Sequence, residues 1–216
     1  MSDFYDDITA YLEENAVKLM QSFSLDAKRN NIINKTAPDL EINGKLFDFQ
    51  WSSNFKKYGD LRIDIISAYS VAERQKLYSD IKQNIDNYSD DIIKYLKSIM
   101  TIQKKGKIFD KSIYGLIYFF YNEKINIHDG SLSFQNNPPD FIVCTKRKDL
   151  LKYINKNFTE ITRSNLFKLN YKIGNRTGFG DFHGSAFVCI KLDKLEKHNI
   201  ISKFECKKFL ERLSIV

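Results

Sequence analysis

The chain has 216 residues, 43% hydrophobic and 28% charged, with nine glycines and three prolines. That balance excludes a disordered, fibrous or collagen-like chain and suffices for one domain, residues 1–216, with a real core. Lysine and arginine number 34 against 27 acids, a net charge of +7, so polyanions are the natural partners.

The spacing of Phe4, Ile8, Leu12, Leu19 and Phe23 predicts an opening helix, with Ser2 or Asp3 as its cap. A polar connector from Ser24 to Asn34 follows. Leu46, Phe47, Phe49 and Trp51 predict a strand, and the polar link Ser52 to Gly59 a turn. In Asp60-Leu61-Arg62-Ile63-Asp64-Ile65, charged and apolar residues alternate, which places Asp60, Arg62 and Asp64 on one face of a strand.

Leu77, Ile81, Ile85, Tyr88, Ile92, Leu96 and Ile99 predict a long helical region, broken near Ser89 and stopped at Gly106. Ile113 to Tyr121 reads as a central strand covered on both faces. Asp129-Gly130 predicts a hairpin between Ile125-Ile127 and Leu132-Phe134. Then come a strand at Phe141 to Cys144, a helix from Asp149 to Asn157, a glycine-studded loop from Gly174 to Gly184 and a strand from Ala186 to Leu192. Ser202 with Glu205 forms a capping box and predicts a final helix. The order describes an α/β (α+β) domain, a mixed sheet flanked by helices.

No apolar run approaches the ~18–20 residues of a membrane span. Met1 to Asp7 is acidic and lacks the cationic start of a secretory signal. Cys144, Cys189 and Cys206 match neither a disulfide framework nor a zinc knuckle, and read as reduced thiols of a cytoplasmic protein.

Chemistry concentrates first on the acidic strand. Asp60 and Asp64 stand on one face with Arg62 between them, and Asp48 lies on the preceding strand. Carboxylates so spaced suit a hard divalent cation such as magnesium, which keeps several of its waters. A solvated strand edge, with Arg62 pairing the acids, is the competing account.

The succession of a helix carrying Glu13 and Glu14, a strand with Asp48 and the strand Asp60-Leu61-Arg62-Ile63-Asp64 resembles the PD-(D/E)XK, or restriction-endonuclease-like, nuclease superfamily over roughly Asp3 to Met100. The resemblance implies a mixed sheet between helices, with paired acids on adjacent strands that bind magnesium. It implies metal ligation by Asp48 and by Asp60 or Asp64. The family's lysine, which helps activate water, is missing. Arg62 occupies its position if Asp60 is the second acid, and Ile66 if Asp64 is. Arginine stays charged and is a poor proton shuttle. Literal Pro-Asp pairs occur at Pro38-Asp39 and Pro139-Asp140. Neither precedes an acid-x-lysine, and they carry little weight.

The loop from Gly174 to Ser185 offers Arg176 and His183 to a nucleic-acid strand, although a mobile hairpin tip explains it equally. It lacks the spacing of a phosphate-binding glycine loop. Lys148, Lys152 and Lys156 form a basic row on their helix. Lys203, Lys207, Lys208 and Arg212 form a second row on the final helix, and Lys104, Lys105, Lys107 and Lys111 cluster around Gly106. Such rows can track phosphates, and are otherwise solvated faces.

The expected function is therefore metal-dependent DNA endonuclease activity, a phosphodiester hydrolase. Asp48, Asp60 and Asp64 are expected on Mg2+, Arg62 on developing phosphate charge, and Arg176, His183, Lys148, Lys152 and Lys156 on substrate. The expected partner is nucleic acid, DNA before RNA, with no membrane; a homodimer is compatible with this reading. The alternatives are a non-catalytic nucleic-acid-binding or inhibitor protein on the same fold, and a module whose basic face binds an acidic protein.

Overall fold

Two β-sheets organise the chain, each burying its own apolar face. The structure is a computed structural model that describes residues 2–30, 38–52, 59–70, 92–121, 139–164, 166–173 and 182–205. In chain order these form α1 (Ser2–Ser22), β1 (Ala27–Arg29), β2 (Leu40–Ile42), β3 (Lys45–Ser52), β4 (Asp60–Ser70), α2 (Ile92–Ile99), β5 (Thr101–Lys105), a 3-10 turn (Lys107–Phe109), β6 (Ile113–Phe120), β7 (Phe141–Lys146), α3 (Arg147–Arg163), β8 (Phe167–Ile173), β9 (Phe182–Lys191), α4 (Leu192–Lys197) and β10 (Ile201–Glu205). The fold is α+β, as expected. Contacts cluster into two units where the sequence reads as one domain: Met1–Gly59 with Ser112–Arg147 and Glu196–Val216, and Asp60–Lys111 with Lys148–Leu195.

The first unit holds a six-stranded sheet in the order β1-β2-β3-β6-β7-β10. Its β3 and β6 pair in parallel, and its other ladders are antiparallel. Along α1 the residues Leu12, Ala16, Leu19 and Met20 recur at three- and four-residue steps and are buried. They share a core with Leu40, Ile42, Phe49, Ile117 and Phe119. Phe49 and Phe119 meet edge to face, ring centroids 5.0 Å apart. The helix ends where Ser24 takes φ 58°, and the Leu25 N–H closes back onto the Met20 carbonyl at 3.2 Å.

Asn43 and Gly44 turn the β2–β3 hairpin with φ 49° and 72°, the left-handed pair that a two-residue turn requires. Asn43 pins this turn to the chain before β1. Its N–H donates to the Asp26 carbonyl at 2.7 Å, and its Oδ1 accepts from the Asp26 N–H at 2.9 Å.

The second unit holds a four-stranded antiparallel sheet in the order β5-β4-β9-β8. Leu61, Ile63 and Ile65 of β4, Val188 and Ile190 of β9 and Phe167 of β8 are buried. Ile92 and Leu96 of α2 and Leu150, Ile154 and Phe158 of α3 are buried as well, one side of each helix. Phe158 joins these elements by edge-on contacts, to Tyr95 at 6.3 Å and to Phe167 at 5.3 Å.

Several sequence expectations change. Ser202 to Glu205 is strand β10, paired antiparallel with β7, and not a helix. A free edge on β7 outweighs a capping box, which contributes only about 1 kcal/mol. Lys203 consequently leaves the expected basic helical row and lies over the Phe141 ring at 4.6 Å. Strand β1 lies within the polar connector expected from Ser24 to Asn34, strands β5 and β8 and helix α4 are further additional elements, and α3 runs beyond the Asp149–Asn157 expected for it. The helix before Ile92, the hairpin at Asp129-Gly130, the turn at 53–58, Arg176 with the loop 174–181, and Cys206, Lys207, Lys208 and Arg212 lie outside the described residues. No helix of the described residues is long and apolar enough to cross a membrane.

Gly106 follows a strand and stops no helix. Its N–H donates to the Ile65 carbonyl at 2.9 Å, and a Cβ built on it would lie 1.8 Å from the Asp64 carbonyl oxygen. Any side chain there drives the backbones of β4 and the segment after β5 apart. Gly44 meets nothing within 4 Å but needs its positive φ. Gly106→Ala should therefore cost about 3 kcal/mol or more, and Gly44→Ala about 1 kcal/mol. Urea unfolding of both variants checks the order; equal midpoints would remove the close approach.

Candidate functional site

The alternation expected for β4 holds. Asp60 is half-buried and Arg62 and Asp64 are exposed, while Leu61, Ile63 and Ile65 between them are buried. The three polar residues thus share one face. The expected neighbour does not hold. Asp48 stands on β3 of the six-stranded sheet, and the strands beside β4 are β5 and β9. Asp48 therefore does not lie on a strand adjacent to that of Asp60 and Asp64. The cause is topological: the chain leaves one sheet at Ser52 and enters the other at Asp60.

Each acid on β4 has other work. Asp64 accepts from Arg62 Nε at 3.2 Å, with the two side chains 46% and 53% exposed, a surface pair of small energetic worth. The Arg62 guanidinium also stacks over the Phe187 ring, 3.9 Å from its centroid. Asp60 pairs in register with Lys191. Among the described residues no group of three or more His, Cys, Asp or Glu side chains is placed to hold a metal.

Two acids of the first unit, Asp39 and Asp48, lie at the β2–β3 hairpin. Asp39, one residue before β2, donates its N–H to the Phe47 carbonyl at 3.0 Å, and its Oδ2 accepts from the Phe49 N–H at 2.8 Å. It therefore brackets Asp48 from the adjacent strand. Phe47, Phe49 and Trp51 point into the α1 core, so the pleat turns Asp48 and Gln50 to the opposite face. Asp48 is 2% exposed and accepts from Gln50 Nε2 at 3.1 Å. Asp39 of the Pro38-Asp39 pair, of little weight in the sequence, is thus tied to the β3 backbone on either side of Asp48. The signal for it is the Asn43-Gly44 turn, which folds Asp39 onto Asp48.

The helix acids stay apart from this pair. Glu13 is held by Arg29 Nε at 2.7 Å, side chains 12% and 24% exposed, a tie between α1 and the edge strand β1. Glu14 pairs with Lys18 at the surface. The expected substrate residues Lys148, Lys152 and Lys156 are all exposed along α3. Among the lysines around Gly106, Lys104 and Lys105 lie on β5 and Lys107 in the 3-10 turn. His183 lies on β9 in register with Lys172. Cys144 and Cys189 are free, as expected, and burial raises their thiols to about 12 and about 11, so they stay protonated.

Burial raises the Asp60 carboxyl above its ordinary value, and Lys191 opposes the rise. A carboxyl that binds its proton more tightly when folded costs stability once it ionises. The cost is absent below the ordinary carboxylate range and complete above the raised value. Relative to Asp60→Asn, the native chain should therefore lose stability as pH rises from the acid side of that range to neutrality. Urea midpoints of both chains across that interval measure it, and a gap that moves the other way would mean that Lys191 dominates.

No family model, curated protein or solved structure matches this chain.

Proposed function

We propose that the chain is a metal-dependent DNA endonuclease of restriction-endonuclease-like type, with its acid pair at Asp39 and Asp48. The observation that carries the reading is two acids at one hairpin of a mixed sheet that follows an N-terminal helix: Asp48 on β3, and Asp39, one residue before β2, whose Oδ2 accepts from the Phe49 N–H. That is the arrangement the resemblance implies, seated one hairpin earlier than the Asp48, Asp60 and Asp64 set. Gln50 then occupies the place of the family's lysine, two residues after the second acid.

The donor set fits magnesium, which takes hard oxygens and is content with one or two carboxylates. Asp39 and Asp48 would hold it, and when bound it supplies polarisation of the phosphate and a more acidic water. The Phe49 N–H orients the Asp39 carboxylate, and the Gln50 amide orients that of Asp48. Gln50 carries neither charge nor a labile proton, so it can position a water but cannot take its proton. That property favours a second reading, a non-catalytic nucleic-acid binder on the same fold. The free thiols Cys144 and Cys189 accord with a reducing cytoplasm.

Purified protein should cut DNA with magnesium or manganese and stop with a chelator. Asp48→Asn should abolish cutting with the fold intact by circular dichroism. Asp64→Asn should leave it within about twofold, as its carboxylate lies in a surface pair. Gln50→Lys should raise the rate. If Asp48→Asn cuts as well as the native chain, the acid pair is wrong; if nothing cuts single-stranded, double-stranded or branched DNA, the non-catalytic reading stands.

The row on α3 makes a separate claim about affinity. Changing Lys148, Lys152 and Lys156 together to glutamine should lower the salt slope of duplex binding by roughly 2–3, since each phosphate no longer neutralised takes about 0.9 from it. An unchanged slope would make the row a solvated face.

A further inference from the structure

The outward face of the four-stranded sheet carries an aromatic ring among charges. On β9, Phe187 and Cys189 are half-buried and Lys191 is exposed. Phe187 pairs in register with Asp64 on one side and Lys168 on the other, and Lys168 is exposed too. The inward face of β4 and β9 is aliphatic and buried, so the ring is not needed by the core it backs onto. A large ring on the outward side of an antiparallel sheet is a ready contact surface.

The Arg62 Cζ lies over this ring, 3.9 Å from the centroid, and its Nε donates to Asp64 at 3.2 Å. The face thus offers a guanidinium and an aromatic ring in contact with each other. Arg62, Lys168 and Lys191 set against Asp60 and Asp64 make the face net positive.

The geometry points to this face as a docking platform for single-stranded DNA. An unpaired base stacks on the Arg62–Phe187 pair, and Lys168 and Lys191 meet the phosphates on either side. A duplex keeps its base faces stacked on each other, so an aromatic on an open sheet reaches only unpaired bases. Charge selects a polyanion, and the planar pair selects one that carries rings. The inference rests on the nucleic-acid reading above but needs no cleavage: it assigns the strand-binding part to the second unit and leaves the acid pair in the first.

The test is fluorescence anisotropy on the full chain, with chelator present, using a labelled oligothymidylate of roughly 12 nucleotides. Oligouridylate and a duplex of the same length are run beside it. Phe187→Ala should weaken oligothymidylate binding by roughly 5- to 150-fold, the worth of one base–aromatic stack. Phe187→Tyr, which keeps the ring, should restore it, and duplex binding should be indifferent to both. Lys168→Gln should lower the single-strand salt slope by about 0.7. The binding assay runs with chelator and needs no cleavage, so a failed cleavage assay leaves this inference standing. Three results would overturn it: a Phe187→Ala chain that binds like the native one, an equal loss on duplex, or tighter binding of oligouridylate than oligothymidylate. Binding of an acidic protein in place of DNA would likewise give the face to another partner.

Discussion

The register of β3 is the constraint on which the first unit depends. It pairs antiparallel with β2 on one side and parallel with β6 on the other. A slip of one residue would turn Phe47, Phe49 and Trp51 away from α1 and carry Asp48 into the apolar core. Two independent devices prevent that slip. The Asn43-Gly44 turn permits a single pairing of the hairpin, and the apolar face of β3 has its partners on α1. The buried carboxylate of Asp48 therefore sits where it does for reasons unconnected with chemistry. A functional group placed by a register is held more tightly than one placed by a loop.

The two units divide polar work between them. In the first, carboxylates gather at one hairpin, each with a hydrogen bond that sets its direction. In the second, the β4 acids face cations already in place, Arg62 and Lys191. A carboxylate beside a fixed guanidinium keeps its charge, but the cation offsets its attraction for a metal. The same pairing that weakens Asp64 as a ligand holds Arg62 against Phe187. An arrangement poor for holding a metal thus keeps a cation over an aromatic ring.

Gly106 shows how closely the second sheet is built. The chain leaving β5 passes so near the β4 backbone that no side chain fits, and this close approach lies at Asp64 and Ile65. The register of β4 against β9 also shifts after Asp64, which lets Ile65 and Ile66 both be buried. The charged face of β4 thus ends where the strand bends.

Much of the fold was legible in local pattern. The helical spacing of Leu12, Ala16 and Leu19, the alternation from Asp60 to Ile65 and the apolar run at β6 each dictate an element, because burying one side of a helix or strand requires that period. Asn43-Gly44 is a hairpin signal of the same local kind. What the sequence could not convey is which strands become neighbours. Asp48 and Asp60 are close in the chain, and proximity in sequence argued for adjacent strands; the topology sent them to separate sheets. Ser202 to Glu205 carries a helix cap and became a strand because the open edge of β7 offered it a row of backbone partners. Phe187 and Arg62 are far apart in sequence, and nothing local brings a guanidinium over that ring. Long-range pairing decides such matters, since its hydrogen bonds and buried area outweigh the fraction of a kilocalorie per residue that separates local preferences.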